Sequence, residues 1–263
     1  GSFTVTADHS DSRGNSATQA SRSFVKAPKD PPVAITSPAA GSAINTVNMG
    51  TFTVSGTCSE NGRSVTLSGD ASGSATCTAG AWSTSLDFSS ASDGTVTVHA
   101  DLTDSAGNPA VQSTRTFTKD TGLPTLTIST PAAGSFVGTS NESSFTVTGT
   151  CSENGRDVVI TGDASATVTC SAGAWSANLD FSSAADGTLT IHADHSDSSG
   201  NPAVQQSRSF TKDTVAPTVA ITSPAAGAYA NASTASAFAV SGTCSENGRT
   251  VSVSTGGGSI TAS

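Results

Sequence analysis

Residues 52–67 read FTVSGTCSENGRSVTL, and this stretch decides the fold. Phe52, Val54 and Cys58 fall on one face of an extended chain, because successive side chains of a β-strand point to opposite faces. Val65 and Leu67 alternate in the same way after the polar SENG segment. The pattern predicts two half-buried β-strands joined by a short turn.

The same stretch returns along the chain at a fixed step of 93 residues. GTCSENGR occurs at 56–63, 149–156 and 242–249, and FTKDT occurs at 117–121 and 210–214. A period of this length is too long for helical or leucine-rich solenoid units, and it has the size of one small domain. The sequence therefore predicts a tandem array of similar domains.

The repeat divides the chain into two complete units with a partial unit at each end. The complete units are residues 31–122 and 123–215. Residues 1–30 match the C-terminal part of a unit, and residues 216–263 match the N-terminal part. We expect the chain to be a slice of a longer array. A second possibility is head-to-tail exchange, in which residues 1–30 of one copy complete residues 216–263 of the next.

Each unit carries about seven short stretches of two-residue alternation separated by turn signals, as antiparallel β-sandwiches do. Trp82, Leu86 and Phe88 alternate inward, and Asp93-Gly94 signals a turn before the next strand. No stretch has a sustained helical period. The sequence thus predicts an all-β fold of antiparallel sandwiches. Because Trp82 and Trp175 share the parity of the apolar residues, we expect them to pack in the core rather than to stack on a sugar.

Composition argues against several classes of function. The formal net charge is −9 with only 12% charged residues, whereas nucleic-acid binding needs a basic surface. No apolar run reaches the length of a membrane span, and no Ser, His and Asp set recurs in a catalytic arrangement. We expect a protein that is not an enzyme, binds no nucleic acid and inserts no segment into a membrane. The histidines are predicted to be solvated strand residues: His9, His99, His192 and His195.

Five phrases carry a resemblance to a known family. They are FTVSGTCSENGRSVTL, GAWSTSLDFS, DGTVTVHADLTDSAGN and the two junctions KDTGLPTLTI and KDTVAPTVAI. In this order and spacing they resemble the bacterial immunoglobulin-like (Big-type) repeats of large surface adhesins and biofilm proteins. The resemblance implies tandem immunoglobulin-like β-sandwiches arranged as an elongated rod. It also implies an extracellular or bacterial cell-surface location.

The cysteines indicate an oxidising compartment. Cys58 and Cys77 are 19 residues apart, as are Cys151 and Cys170, and each pair has inward parity on neighbouring short strands. We expect a disulfide within each unit, which would persist only outside the reducing cytosol. Unlinked core thiols are the alternative, since a zinc site would need further His or Cys ligands nearby. Cys244, in the last partial unit, has no cysteine at the equivalent spacing.

Carboxylates recur where the linker and the loops at one end of a unit are expected to meet. They would repel one another unless a cation lay among them, and Ca²⁺ takes about six to eight oxygen ligands. Related adhesin repeats bind calcium at such junctions, so the resemblance implies a Ca²⁺ site. The candidate ligands are Asp30, Glu60, Asp101, Asp104, Asp120, Glu153, Asp194, Asp197, Asp213 and Glu246, with Asn108, Asn201 or backbone carbonyls completing the shell. The alternative is that these residues only form Asx turns and caps.

Two classes of function follow from the repeats. The first is a structural stalk or filament segment of a surface adhesin, stiffened by disulfides and by calcium between domains. Near-identical units favour it, because a spacer needs length more than individual binding faces. The second is a repeat-borne binding module for a glycan, a host protein or a neighbouring fibre, or a strand-exchanging fibre subunit. The expected partners are neighbouring repeats of the same chain and other copies of it in a fibre.

Overall fold

The computed structural model describes residues 1–26, 30–255 and 258–262, and every regular element in these ranges is a β-strand. No helix in the described ranges is long and apolar enough to cross a membrane. The strands are β1 Ser2–Ala7, β2 Ala20–Val25, β3 Val33–Ser37, β4 Ala43–Ile44, β5 Phe52–Cys58, β6 Ser64–Gly69, β7 Gly73–Thr76, β8 Ala81–Leu86, β9 Gly94–Leu102, β10 Ser113–Lys119, β11 Phe136–Val137, β12 Phe145–Thr150, β13 Asp157–Gly162, β14 Ala166–Thr169, β15 Ala174–Leu179, β16 Gly187–His195, β17 Gln206–Lys212, β18 Val219–Ser223, β19 Ser241–Cys244, β20 Val251–Thr255 and β21 Gly258–Ala262.

Residues 31–122, called the first repeat below, form a β-sandwich. One sheet has the order β3-β5-β8, and the other has the order β4-β10-β9-β6-β7. The opening stretch of the sequence spans both sheets, because β5 lies in the first and β6 lies in the second. β5 shows strict alternation of buried and less buried residues, as its sequence predicts. The predicted all-β sandwich is therefore confirmed.

One strand pair in the first repeat departs from the predicted antiparallel arrangement. β4 runs parallel to β10, with Ala43 opposite Thr118 and Ile44 opposite Lys119. The chain leaves β3 at the edge of one sheet and turns at Pro38–Gly41. It then joins the edge of the other sheet, where the last strand runs in the same direction. Parallel pairing of two residues is enough to close this edge of the sandwich.

Aromatic side chains fill the space between the two sheets. Phe52 packs edge-to-face on Phe117 with ring centroids 5.0 Å apart, and on Phe88 at 5.9 Å. Trp82 is 3% exposed and donates its indole N–H to the carbonyl of Thr57 at 3.1 Å. The predicted core role of Trp82 is therefore confirmed. Gly56 is required beside it, because a Cβ there would lie 2.7 Å from the indole ring and would clash with the Ala34 carbonyl.

Residues 123–215, called the second repeat, repeat this arrangement with one difference. The larger sheet has the order β11-β17-β16-β13-β14, and the smaller one contains β12 and β15. Where the first repeat has β3, the second has only isolated bridges, Leu126 to Cys151 and Thr130 to Thr148. Buried residues between Leu126 and Phe210 form a cluster of their own, separate from the cluster between Val33 and Phe117.

The outer segments expose apolar side chains whose sequence equivalents are buried in the complete repeats. The hairpin β1–β2 exposes Phe3 and Phe24, with Phe24 at 45%. Its equivalent, Phe117, is fully buried. In β18 and the segment before β19, Val219, Ile221 and Phe238 are exposed. Strand exchange between copies stays a prediction, and these residues are the surfaces on which it depends.

His195 does not follow the prediction of a solvated strand residue. It is 3% exposed at the end of β16, in the position that Leu102 occupies at the end of β9. Its Nδ1 lies 2.8 Å from the carbonyl oxygen of Asp157. Its Nε2 is buried without a hydrogen-bond partner among the described residues. The parity of the strand places this side chain inward, and a polar atom there carries a desolvation cost.

Replacing His195 by Leu, the residue of the first repeat, is expected to stabilise the second repeat by about 1 kcal/mol, because it removes an unsatisfied buried acceptor. The reciprocal change, Leu102→His, should destabilise the first repeat. Each repeat contains one tryptophan, Trp82 or Trp175. Denaturant unfolding followed by fluorescence in W82F and W175F backgrounds therefore reports each repeat separately. A loss of stability in H195L would contradict this account of His195.

Candidate functional site at the linker between the complete repeats

A five-residue loop, Asp-Ser-x-Gly-Asn, precedes the last strand of each repeat. In the second repeat it is residues 197–201, between β16 and β17. The Asp197 carboxylate accepts the backbone N–H and the side-chain amide of Asn201, both at 2.8 Å. Asp104 and Asn108 make the same pair of contacts in the first repeat at 2.7 and 2.8 Å. The sequence thus builds a preformed loop, which we call the DSxGN loop.

Hydrogen bonds keep the loop carboxylates ionised. In Asp104, the side-chain hydrogen bond from Asn108 is the main cause of a pKa below the usual value. In Asp197, burial alone would raise the pKa, but the hydrogen bonds from Asn201, Ser199 and Gly200 outweigh it and lower the pKa. Both residues are almost fully buried. A buried carboxylate is stable only when donors surround it in this way.

Asp93 fixes the start of the linker through hydrogen bonds that were not predicted from the sequence. Asp93, at the turn before β9, accepts the Lys119 ammonium at 3.0 Å and both the backbone N–H and hydroxyl of Thr121. The backbone N–H of Thr121, followed by the Lys119 contact, lowers the pKa of Asp93. In the second repeat Asp186 holds Thr214 in the same way. FTKDT and Asp-Gly both recur in the sequence. They are separated along the chain, so only the folded structure shows that the aspartate contacts the threonine.

A buried lysine ends the last strand of each repeat, and its ion-pair partner differs between the two repeats. Lys119 is 5% exposed and pairs with Asp93. Lys212 instead pairs with Glu142 at 2.9 Å and donates to the carbonyls of Phe181 and Ala184. Each ammonium therefore has an anionic partner, which a buried charge requires. In both repeats the last strand and the linker that follows are fixed to the body of the domain.

Hydrogen bonds also connect the linker to the repeat that follows. Asp120 accepts the Ser199 hydroxyl at 2.8 Å through its carboxylate, and the Asn201 amide at 3.0 Å through its backbone carbonyl. Asn201 accepts the backbone N–H of Thr46 at 2.8 Å, and Asn45 donates to the Ser199 carbonyl at 2.7 Å. These five residues join the DSxGN loop of the second repeat to the linker and to the first repeat. We call them the linker joint.

The structure places the predicted calcium ligands as follows. Asp120 and Asp197 meet through Asn201 in the linker joint. Asp101 and Asp194 each accept a hydrogen bond from a glutamine side chain, Gln112 or Gln205. Asp213 accepts the backbone N–H of Val215. Asp30 has a left-handed backbone conformation with a φ of 61°. Glu60 and Glu153 accept the hydroxyl of the preceding serine, and the carbonyl of Glu246 accepts the Cys244 thiol. Within the described residues no three or more His, Cys, Asp or Glu side chains form a group that could hold a metal ion.

Turn formation accounts for several of these carboxylates. Asp104, Asp120, Asp197 and Asp213 each accept a backbone N–H two to four residues ahead. This is the arrangement of Asx turns and caps, the alternative weighed from the sequence. Calcium binding stays a prediction. It would require the carboxylate oxygens to exchange these donors for a cation.

An arginine supplies a positive charge between the loops that were expected to share a cation. Arg63, at the end of GTCSENGR, donates its Nε to the carbonyl of Thr103 at 3.0 Å. Arg156 reaches the carbonyl of Ser196 in the second repeat at 3.4 Å. The loop after β5 and the loop after β9 are therefore tied by a guanidinium. The repeated Arg was visible in the sequence, but its partner is a backbone atom that no side-chain pattern reveals.

Each complete repeat contains its predicted disulfide. Cys58 is bonded to Cys77 and Cys151 to Cys170, with Cα atoms 6.0 Å apart in both. The loop between them is also pinned by Asn61, whose side-chain oxygen accepts the N–H of Gly80 at 2.8 Å. Each disulfide therefore fixes the loop with the sequence Ser-Glu-Asn-Gly against the turn before the strand that carries the tryptophan, β8 or β15. Among the described cysteines Cys244 is free and exposed.

No protein-family model matches the chain, and no curated protein matches it. Solved structures do. The fibronectin(III)-like modules of Clostridium thermocellum CbhA share 17% identity, with a TM-score of 0.45 over 69% of this chain and 94% of that chain. A tetra-tandem repeat in the extending region of a large adhesion protein shares 28% identity, with a TM-score of 0.35 over 84% of this chain and 58% of that chain. The D00–D0 domain of intimin shares 13% identity, with a TM-score of 0.30 over 68% of this chain and 99% of that chain.

Proposed function

We propose that this chain is a spacer segment of an extracellular or bacterial cell-surface adhesin, in which consecutive β-sandwiches hold a distant functional part away from its anchor. The observation that carries the proposal is the linker between the two complete repeats. Asp93 of the first repeat holds Thr121, and Ser199 and Asn201 of the second hold Asp120. A linker that is hydrogen-bonded to the repeats on both sides of it suits a spacer, because a free linker would let the repeats bend relative to each other.

The covalent chemistry of the repeats supports the same role. A disulfide in each sandwich suits an oxidising compartment and stabilises the folded domain. The acidic, weakly charged surface suits a protein that stays soluble outside the cell. The residues that recur between repeats serve the core, the disulfide and the linker: for example Trp82 and Trp175, Phe117 and Phe210, and Thr121 and Thr214.

A binding screen separates the spacer from a repeat-borne binding module. The 263-residue chain, displayed on beads so that weak contacts add up, would be tested against a glycan array and against extracellular-matrix proteins. The spacer proposal predicts no ligand retained above the level of a charge-matched control protein. Saturable binding that is lost when exposed residues at equivalent positions of both repeats, such as Val111 and Val204, are changed to Ser would overturn it in favour of the binding module.

A further inference from the structure

The side chain of Asn201 lies at the centre of the linker joint. It is fully buried, although it belongs to a loop. Its amide makes contacts in three directions: to Thr46 of the first repeat, to the carbonyl of Asp120 in the linker, and to the carboxylate of Asp197 in its own loop. A polar group is tolerated at full burial only when its donors and acceptors are satisfied. Here every polar atom of the side chain has a partner.

The partners determine which way the amide points. The Thr46 contact is a backbone N–H, so the atom 2.8 Å from it must be the acceptor oxygen Oδ1. The Asp120 carbonyl and the Asp197 carboxylate are acceptors, so the atom facing them must be the donor Nδ2. A rotated amide would set a donor against a donor and an oxygen against two oxygens. The Thr46 N–H therefore directs the amide hydrogens of Asn201 at the oxygens of the linker and loop.

We infer that the linker joint is closed by the Asn201 amide in the place where a cation would otherwise be needed. The two N–H groups of Nδ2 hold the Asp197 carboxylate and the Asp120 carbonyl together, as a bound metal ion would. The carboxylate of Asp120 also accepts a hydrogen bond from the Ser199 hydroxyl. The hydroxyl is uncharged, so it does not neutralise the carboxylate, but it gives one of its oxygens a hydrogen-bond donor. The joint then keeps its geometry without calcium. This inference rests on the proposed spacer function and specifies how the angle between the two repeats is held.

The loop is shaped to deliver these contacts across the joint. Gly200 has a φ of +86°, a conformation that favours glycine, and a Cβ there would lie 2.9 Å from the Asn45 amide that donates to the Ser199 carbonyl. The middle position of the loop is Ala106 in the first repeat and Ser199 in the second. Because both residues fit the same loop, Ser199→Ala removes one joint contact without a change to the loop itself.

Distances between the repeats test the inference. Spin labels would be coupled to keto-bearing noncanonical residues at Ser83 and Ser176, both exposed, in the 263-residue chain. Double electron–electron resonance would be recorded in EDTA and in about 2 mM Ca²⁺, above the range in which extracellular calcium modules typically fill. The expected result is one narrow distance distribution, unchanged between the two conditions. A wild-type distribution that broadens in EDTA would overturn the inference.

Three variants assign the effect to the joint. Asn201→Ala should abolish the narrow distribution in both conditions, and Ser199→Ala should broaden it. Asn201→Asp places a carboxylate against Asp197, so the distribution should be broad in EDTA and narrow again with Ca²⁺. The control Asn108→Ala, in the DSxGN loop of the first repeat, should leave the distance unchanged. If either Asn201→Ala or Asn201→Asp in EDTA stays as narrow as wild type, the amide is not what closes the joint.

Tryptophan fluorescence and melting of each repeat establish that these variants remain folded. N201D keeps the size and shape of the asparagine side chain, so it keeps the test decisive even where N201A disturbs its own loop. S199A carries the residue of the first repeat and separates the contribution of the Ser199 hydroxyl from that of the amide. The outcome is also distinguishable from a failure of the proposed function. A flexible joint would leave the binding screen negative, whereas a repeat-borne binding module would give ligand binding with the joint intact.

Discussion

Removing the Cys58–Cys77 disulfide by the double substitution C58A/C77A is expected to lower the free energy of unfolding of the first repeat by about 3 kcal/mol. The bridge closes a segment with a sequence separation of 19 residues. In the chain-entropy model, a loop of about 15 residues is worth about 3 kcal/mol, because the crosslink restricts the unfolded chain. Single domains are typically stable by about 5–15 kcal/mol. The loss is therefore a large share of the total.

The measurement is denaturant unfolding followed by the fluorescence of Trp82 in a W175F background. The matched control is C151A/C170A, which removes the equivalent bridge and should leave the first repeat unchanged. Reduction of the wild-type chain should reproduce the effect of both double substitutions together. Equal midpoints for the wild type and C58A/C77A would show that the bridge does not stabilise the repeat.

Truncating Phe117 to Ala should cost the first repeat about 3–5 kcal/mol, the range for removing a large aromatic side chain from a core. Phe117 has no exposed surface and packs edge-to-face on Phe52. The ring lies between the two sheets, so the surrounding strands cannot collapse into the space without losing their pairing. The same change at Phe210, which packs 4.8 Å from Phe145, should destabilise the second repeat alone.

The chain offers its own control for this prediction. Phe24 is the sequence equivalent of Phe117 but is 45% exposed in the β1–β2 hairpin. Phe24→Ala should therefore leave the unfolding of both complete repeats unchanged. Thermal and denaturant unfolding of the three variants would be compared under identical conditions. A cost below about 1 kcal/mol for F117A would be inconsistent with a tightly packed interior.

The sequence was sufficient to predict the all-β sandwich because alternation is a local signal. Phe52, Val54 and Cys58 point inward in the structure as their parity requires, and Trp82 follows. The disulfides were also predictable, since parity and spacing recur in both repeats. The parallel pairing of β4 with β10 was not predictable, because a two-residue strand leaves no period to detect.

The linker joint was only partly visible in the sequence. Asp120 and Asp197 were identified, but as ligands of a cation, since repulsion between carboxylates was the expected problem. Asn201 was considered only as an additional oxygen ligand. In the structure its amide donates to the oxygens of Asp120 and Asp197, and Thr46, which sets that orientation, contributes a backbone N–H. Contacts through backbone atoms depend on tertiary structure, so side-chain patterns do not reveal them.

Single-molecule force spectroscopy tests the central claim that the repeats act as separate spacer units along one load-bearing chain. Pulling the 263-residue chain by its ends should give two unfolding steps of equal length, one for each complete repeat. Reduction should lengthen each step by about 60 Å, because 19 residues at roughly 3.4 Å each are released from a crosslink that spans 6.0 Å. A single step for both repeats, or steps that reductant does not lengthen, would contradict the account.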